Sequence, residues 1–199
     1  MTGKMILEHL FIVGVSVVFT VLMGIPLGVC AYLFPKIRKV LLFVVEVLQT
    51  IPAMAMLGII MVFMGAGKPT VMIGLVLYSL LPVVQNTYLG LNEVDAGIKE
   101  VAAGMGMTRM YRLLHIELPI AFPFIFTGVR IAAVTAVGVA VFASFVGGGG
   151  LGGVIYRAIN IQNMRLIVAS TLVLMLMAVA LDWLMTLLER HITSSRHLR

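Results

Sequence analysis

Apolar residues run along this chain in long blocks separated by short polar gaps. Five blocks carry few or no Asp, Glu, Lys or Arg: residues 9–34, 40–64 (with Glu46 inside), 70–91, 119–146 (interrupted only by Arg130) and 166–188 (containing Asp182). Each is as long as the roughly 20 residues a helix needs to cross a bilayer. A β-barrel would instead show short strands of alternating hydrophobicity, and none is visible. The pattern therefore predicts an all-α, polytopic membrane protein with five transmembrane helices, a single transmembrane domain over residues 1–199. Lys4 precedes the first block, as in a signal peptide. That block outlasts an h-region of roughly 7 to 15 residues and no A-x-A-like site follows it, so it is read as a true helix.

The gap at 92–118 differs from the others. It holds Glu93, Asp95, Lys99, Glu100, Arg109, Arg112 and Glu117. Val94, Ile98, Val101 and Met105 recur at three- and four-residue steps, which predicts a short amphipathic helix broken at Gly104 and Gly106. A second short helix from Thr108 to about His115 starts with Thr108 as its N-cap, and Pro119 marks the expected turn back into the membrane. Such a helix pair suits either a docking surface or an interfacial position on lipid headgroups. The residues alone leave both open.

Composition sharpens the membrane reading. Of 199 residues, 61% are hydrophobic and 11% charged, and the mean hydropathy is +1.14. A soluble domain carries about a quarter charged residues, so a cytosolic enzyme is excluded. No stretch remains for a soluble catalytic domain. The net charge of +6 is not clustered on one polar face as nucleic-acid binding would want, so no nucleic-acid partner is expected. Lys36, Arg38, Lys39, Lys99, Arg109, Arg112, Arg190, Arg196 and Arg199 fall in one set of gaps, against Lys4, Lys68, Arg157 and Arg165 in the other. By the positive-inside rule this places the N-terminus outside, the C-terminus and the 92–118 loop in the cytoplasm. Cys30 is the sole cysteine, which excludes an intramolecular disulfide and thiolate-pair metal binding. Its setting lacks the small preceding residue of a lipidation box.

The polar loop reads Glu100-Val101-Ala102-Ala103-Gly104-Met105-Gly106, nine residues, then Ile116-Glu117-Leu118-Pro119. This resembles the "EAA" signature of the permease subunits of bacterial ABC importers, matched at Glu100, Ala102, Gly106, Ile116, Leu118 and Pro119, with Val101 in place of the usual alanine. Gln49-Thr50-Ile51-Pro52, Tyr78-Ser79-Leu80-Leu81-Pro82, Asn86-Thr87-Tyr88, Asp95 to Glu100 and Gly147 to Gly153 resemble the osmoprotectant branch of that family, which handles glycine betaine, carnitine or choline. The resemblance covers about residues 8–190. It implies the type I importer permease fold in the bacterial plasma membrane, paired with a second permease, identical or similar, and with cytoplasmic ABC ATPase subunits. It also implies a separate extracytoplasmic substrate-binding protein, since only a short tail follows the fifth helix. ATP and Mg would be bound by the ATPase subunits; no cofactor, metal or catalytic residue is expected in this chain.

On that resemblance the 92–118 loop is an ATPase-coupling element. Its expected contributors are Glu100, Ala102, Gly106, Arg109, Arg112, Ile116, Leu118 and Pro119, with Glu100 facing a basic partner residue and Arg109 or Arg112 an acidic one. The competing reading is that these charges only solvate the loop. Gly65-Ala66-Gly67-Lys68 looks like half a phosphate loop, but Val62 and Pro69 occupy the positions of the first glycine and the Ser or Thr, so it is read as an extracellular turn. Gly147, Gly149 and Gly152 satisfy G-x-G-x-x-G, yet they follow a membrane span and not a strand. They are expected to let the chain bend and approach a neighbour closely, helping to form an outer gate.

Polar residues inside spans are costly and therefore functional suspects. Gln49, Thr50, Tyr78, Ser79 and Asn86 are the candidates for the translocation path; helix packing and a proline kink compete for them. Arg130, about 16 Å past Pro119 at the helical rise of about 1.5 Å per residue, suits a substrate carboxylate or a structural partner such as Glu46 or free carbonyls, the latter favoured. Asp182, next to Trp183, is expected to anchor the last helix at the interface. Tyr78, Tyr88, Phe124 and Phe142 offer faces for a quaternary ammonium, with core packing as the alternative. The same importer carrying an amino acid or other small zwitterion is the nearest rival. An intramembrane enzyme lacks a polar cluster deep in the bundle, and a passive channel would not need the coupling signature.

Overall fold

The computed structural model describes residues 3–194, which are helical almost throughout, with no strand among them. Arg196 and Arg199, counted above for topology, lie outside the described residues. In chain order the helices are α1 (Gly3–Leu33), α2 (Pro35–Thr50), α3 (Ala53–Met64), α4 (Lys68–Glu93), α5 (Ala96–Gly104), α6 (Arg109–Arg112), α7 (Leu118–Val139), α8 (Gly152–Asn160) and α9 (Met164–Ser194). Four continuous stretches are long and apolar enough to cross a membrane: α1, α4, Arg109–Val146 and Met164–Ile192.

The second expected span is broken. Helices α2 and α3 meet at an angle of 99°, with Ile51 extended at φ −66°, ψ 128° ahead of Pro52. Proline offers no amide hydrogen and pushes the residue before it out of the helical region, so an apolar run that reads as one helix becomes two. Counted as one span, the pair brings the total to five.

Helix α4 is the centre of the bundle: 61% of its most apolar stretch is buried, against 6% for α9. Helices α1 and α7 pack on it most extensively, and glycines set how closely. A Cβ at Gly28 of α1 would lie 2.5 Å from the Cβ of Thr87, and one at Gly128 of α7 would lie 2.5 Å from the carbonyl oxygen of Pro82. Without a hydrophobic driving force between helices in lipid, such close backbone approach is what gains dispersion contact. Some hydroxyls buried at these contacts bond back to their own helix, as Thr20 does to Ser16 and Thr87 to Val83, whereas the buried Ser79 hydroxyl of α4 has no hydrogen-bond partner among the described residues.

Pro119 does not turn the chain. Arg109 to Val146 runs on as one apolar stretch, because the five residues Leu113–Glu117 just ahead of the proline are wound as a π-helix. That wider turn absorbs the bond that proline cannot make. The gap at 147–165 also holds a helix, α8, that the hydrophobic pattern did not single out.

Candidate functional site

At one end of the bundle the 92–118 loop folds into α5 and α6 joined by a tight turn. Asp95 caps α5, its Oδ1 accepting the Ile98 amide at 3.1 Å, and Thr108 caps α6 by accepting the Tyr111 amide at 3.3 Å. The end of α5 closes with the Gly106 amide donating to Ala103 (2.9 Å) and the Met107 amide to Ala102 (3.2 Å). This paired closure is a Schellman motif, which demands a left-handed residue at Gly106, and φ there is +82°. Gly104, by contrast, is the last helical residue of α5.

Basic side chains tie this element to the ends of the spanning helices. Arg109 donates to the Leu33 carbonyl at the end of α1 (3.0 Å) and Lys99 to the Leu91 carbonyl near the end of α4 (3.0 Å). Arg38 donates to Ala31 (3.3 Å) while lying over the Tyr88 ring at 5.1 Å. Cations near helix C-termini satisfy free carbonyls and offset the negative end of the macrodipole. Arg112 completes the brace with a 2.6 Å bond from Nε to Glu117 Oε1 and a 3.3 Å bond to the Lys99 carbonyl. Glu117 is 1% exposed, and the Tyr32 phenol lies close enough to interact with it. Arg109 or Arg112 is expected to meet an acidic partner residue; both also make bonds within the chain. A buried carboxylate needs an adjacent cation, and Arg112 is the one placed to supply it.

What faces outward is largely apolar. Val101 (66% exposed), Met105 (72%), Met110, Tyr111 and Leu114 are uncovered, with Glu100 exposed among them and Ala102 buried. Asp95, Gly97, Ile98, Val101, Met105 and Ile116 line a shallow groove of about 390 Å³. Leu118 is half-buried in the cluster around Leu91 and Leu113, and Pro119 is exposed at the start of α7.

At the opposite end, the glycine segment is clasped by the start of α1. Glu8 accepts the Gly150 amide (3.3 Å) and pairs with Lys68 (2.7 Å). His9, 1% exposed, accepts the Leu151 amide on Nδ1 (3.3 Å), and its Nε2 lies 3.0 Å from the Val137 carbonyl. The Gly67 amide donates to Val146 (2.8 Å), so the Gly65–Lys68 turn and the glycine segment form one knot. Sequence reasoning passed over Glu8 and His9. The one available signal was a charged and a polar residue at the very start of an apolar block.

The translocation-path candidates separate. Ser79 is 2% exposed, and Asn86 packs against Gly128 while donating to Pro82 (2.8 Å). Asn86 thus faces α7 at Gly128, and Ser79 lies within about 20° of it around α4 at about 100° per residue, its hydroxyl without a hydrogen-bond partner among the described residues. Tyr78 is half-buried, Gln49 half-buried and Thr50 exposed, its hydroxyl donating to Val47 (2.7 Å). The four aromatic candidates are dispersed: Tyr88 under Arg38, Phe124 against Gly90, Phe142 on the central core and Tyr78 on α4. Arg130 has structural partners as expected, but they are on α9: Asp182 at 3.3 Å, Thr186 at 3.2 Å and Glu189 at 4.0 Å. Glu46 is elsewhere, and Asp182 serves as a partner of Arg130.

The family model for the inner membrane component of binding-protein-dependent transport systems matches residues 17–194. The choline transport system permease protein OpuBD of Bacillus subtilis is 40% identical over 184 residues, 92% of this chain and 81% of that one. The carnitine transport permease protein OpuCD of Listeria monocytogenes is 38% identical over 193 residues, 96% and 86% of the two chains. The osmoprotectant import permease protein OsmW of Salmonella typhimurium is 35% identical over 187 residues, 92% and 87%. Among solved structures, an inward-facing MetNI methionine ABC transporter superposes with a TM-score of 0.86 over 94% of this chain and 93% of its own, at 23% identity, a likeness of fold.

Proposed function

The chain belongs to the inner membrane components of binding-protein-dependent transport systems, and from that premise we propose that it is a permease subunit importing a quaternary-ammonium osmoprotectant such as glycine betaine, carnitine or choline. The cargo follows from its osmoprotectant relatives. ATP is hydrolysed on partner ATPase subunits, a second permease supplies the other half of the path, and an extracytoplasmic binding protein delivers the cargo. The N-terminus is outside and the C-terminus cytoplasmic.

The observation that carries the coupling role is the outward apolar face of Val101, Met105, Met110, Tyr111 and Leu114 on a helix pair braced from behind. Exposed large apolar side chains gathered on one short helix pair outside the spans suit an interaction site. Lys99 and Arg109 pin its back to α4 and α1, and Arg112 pins α5 to the start of α7 through Glu117. Movement of the helix pair by a closing ATPase is thereby transmitted to three spanning helices as bodies. At the other end, the knot of Glu8, His9 and Gly147–Gly153 acts as part of the outer gate.

Replacing Met105 by Glu places a charge in the docking face without touching the brace. The expected result is loss of ATPase co-purification while the chain still inserts in the membrane; undiminished co-purification contradicts the docking assignment. In the intact complex in proteoliposomes, ATP-dependent uptake of labelled glycine betaine, carnitine or choline supports the cargo, and uptake of an amino acid alone overturns it. Unchanged uptake after replacing Gly149 and Gly150 by alanine removes the gate assignment.

A further inference from the structure

Seven of the eight acidic residues have an evident place. Glu8, Glu117, Asp182 and Glu189 each have a cation within the chain, and Glu93, Asp95 and Glu100 stand in or beside the cytoplasmic loop. Glu46 is different. It sits on α2, six residues into the apolar block that starts at residue 40, about 9 Å along the helix at about 1.5 Å per residue and so inside the bilayer's roughly 30 Å core. It is exposed and makes no ion pair among the described residues. Lys39 shares its edge of the helix, about 10 Å nearer the cytoplasm by the same rise. A carboxylate at that depth costs several kcal/mol unless it faces water or a counter-charge, and it marks a substrate or ion pathway by default.

Its surroundings suit a cation. One turn beyond Glu46 the helix stops at the 99° break, which leaves the carbonyls of its last turn without amide partners, Thr50 covering that of Val47. The C-terminal end of a half-helix at membrane depth, carrying the negative end of the dipole, is how broken spans hold cations. Helix α2 packs on α4 through Leu41, Leu42 and Val45 against Leu77, Leu80, Leu81 and Val84, and α7 covers Pro82 and Asn86. Between those two contacts α4 shows Tyr78, half-buried, and Gln85, exposed. At about 100° per residue and with α2 antiparallel to α4, Glu46 and Gln49 flank their packing face on that same side. A carboxylate, free carbonyls and a phenol ring thus border one uncovered strip of the bundle. Phenol faces attract quaternary ammonium groups, which accept no hydrogen bonds and need charge and ring faces.

We propose that Glu46, the C-terminal turn of α2 and the Tyr78–Gln85 strip of α4 form a site within the membrane for the quaternary ammonium group of the cargo. The proposal rests on the cargo reading above and adds where in this chain the cation is met. Choline carries a net positive charge, whereas glycine betaine brings its own carboxylate, so the two cargoes depend on Glu46 to different degrees.

The test is uptake of labelled choline and of labelled glycine betaine by proteoliposomes holding the whole complex, with wild-type chain, Glu46→Gln and Glu46→Asp. The expected result is an initial rate for choline lower by about tenfold in Glu46→Gln, on the scale of charge and ring attraction at a desolvated site. Glycine betaine should fall far less, and Glu46→Asp should recover most choline uptake. Equal losses for both cargoes, unchanged choline uptake, or a Glu46→Gln chain that no longer assembles each overturn the site. A wild-type complex that takes up neither cargo overturns the cargo reading itself, and the site with it, so the two failures are told apart by the wild-type control.

Discussion

Gly106 and Gly104 stand two residues apart and should respond oppositely to the same substitution. Neither has an atom within 4 Å of where a Cβ would go, but Gly106 has φ +82° and Gly104 is helical. Gly106→Ala pays left-handed strain of about 1–2 kcal/mol, while Gly104→Ala gains helix propensity of about 0.5–1 kcal/mol. Thermal unfolding of the purified complex should shift down for the first and up or not at all for the second. Glycine as a helix breaker was legible in the sequence; that only one of the pair needs to be glycine was not, because it depends on the Met107–Ala102 and Gly106–Ala103 bonds. Arg112 shows a similar limit. The sequence offered it, or Arg109, an acidic residue of a partner, and the structure pairs it with a carboxylate of its own chain that is 1% exposed. Removing one partner of a buried pair is costly, so Arg112→Ala should destabilise by about 3 kcal/mol. The double variant Arg112→Ala, Glu117→Gln should recover part of that in the same melt.

At the scale of elements, the hydrophobic blocks made the long apolar helices legible, since bilayer thickness sets a run length that composition alone reveals. How the helices meet was hidden. Close approach of α1 to α4 at Gly28 depends on which face each helix turns, and no single block records that. Gly28→Leu should therefore abolish a stably folded chain, because its side chain would occupy the place of Thr87, while Gly14→Leu, which meets nothing within 4 Å, should leave size-exclusion behaviour unchanged. The 99° break between α2 and α3 was half legible: Pro52 was visible as an interruption, but a proline kink and a near right angle look alike in sequence. At the outer knot, His9→Ala strands the buried Leu151 amide and loses a contact to Val137. The expected cost is about 1–3 kcal/mol, read as faster amide hydrogen exchange across Gly147–Gly153 than elsewhere in the bundle.

For the molecule as a whole, what matters is that its two ends are built differently. One end is knotted by Glu8, His9 and Lys68 around a glycine segment, and the other presents an apolar face on a charged brace. The spacing of Glu100, Gly106 and Ile116 to Pro119 made the second legible from sequence, because an interaction motif is local. The knot joins residues more than 140 positions apart and left no local trace. The central claim is that the α5–α6 pair converts ATP hydrolysis by a partner into movement of the spans. Its most direct test is ATP-dependent uptake of labelled glycine betaine, carnitine and choline by the reconstituted complex, with wild-type chain and with Glu100→Ala, Gly106→Val. The account predicts uptake by the wild-type complex and its loss in the variant while ATP hydrolysis by the partner persists or the partner is released. Undiminished ATP-driven uptake by the variant would contradict it.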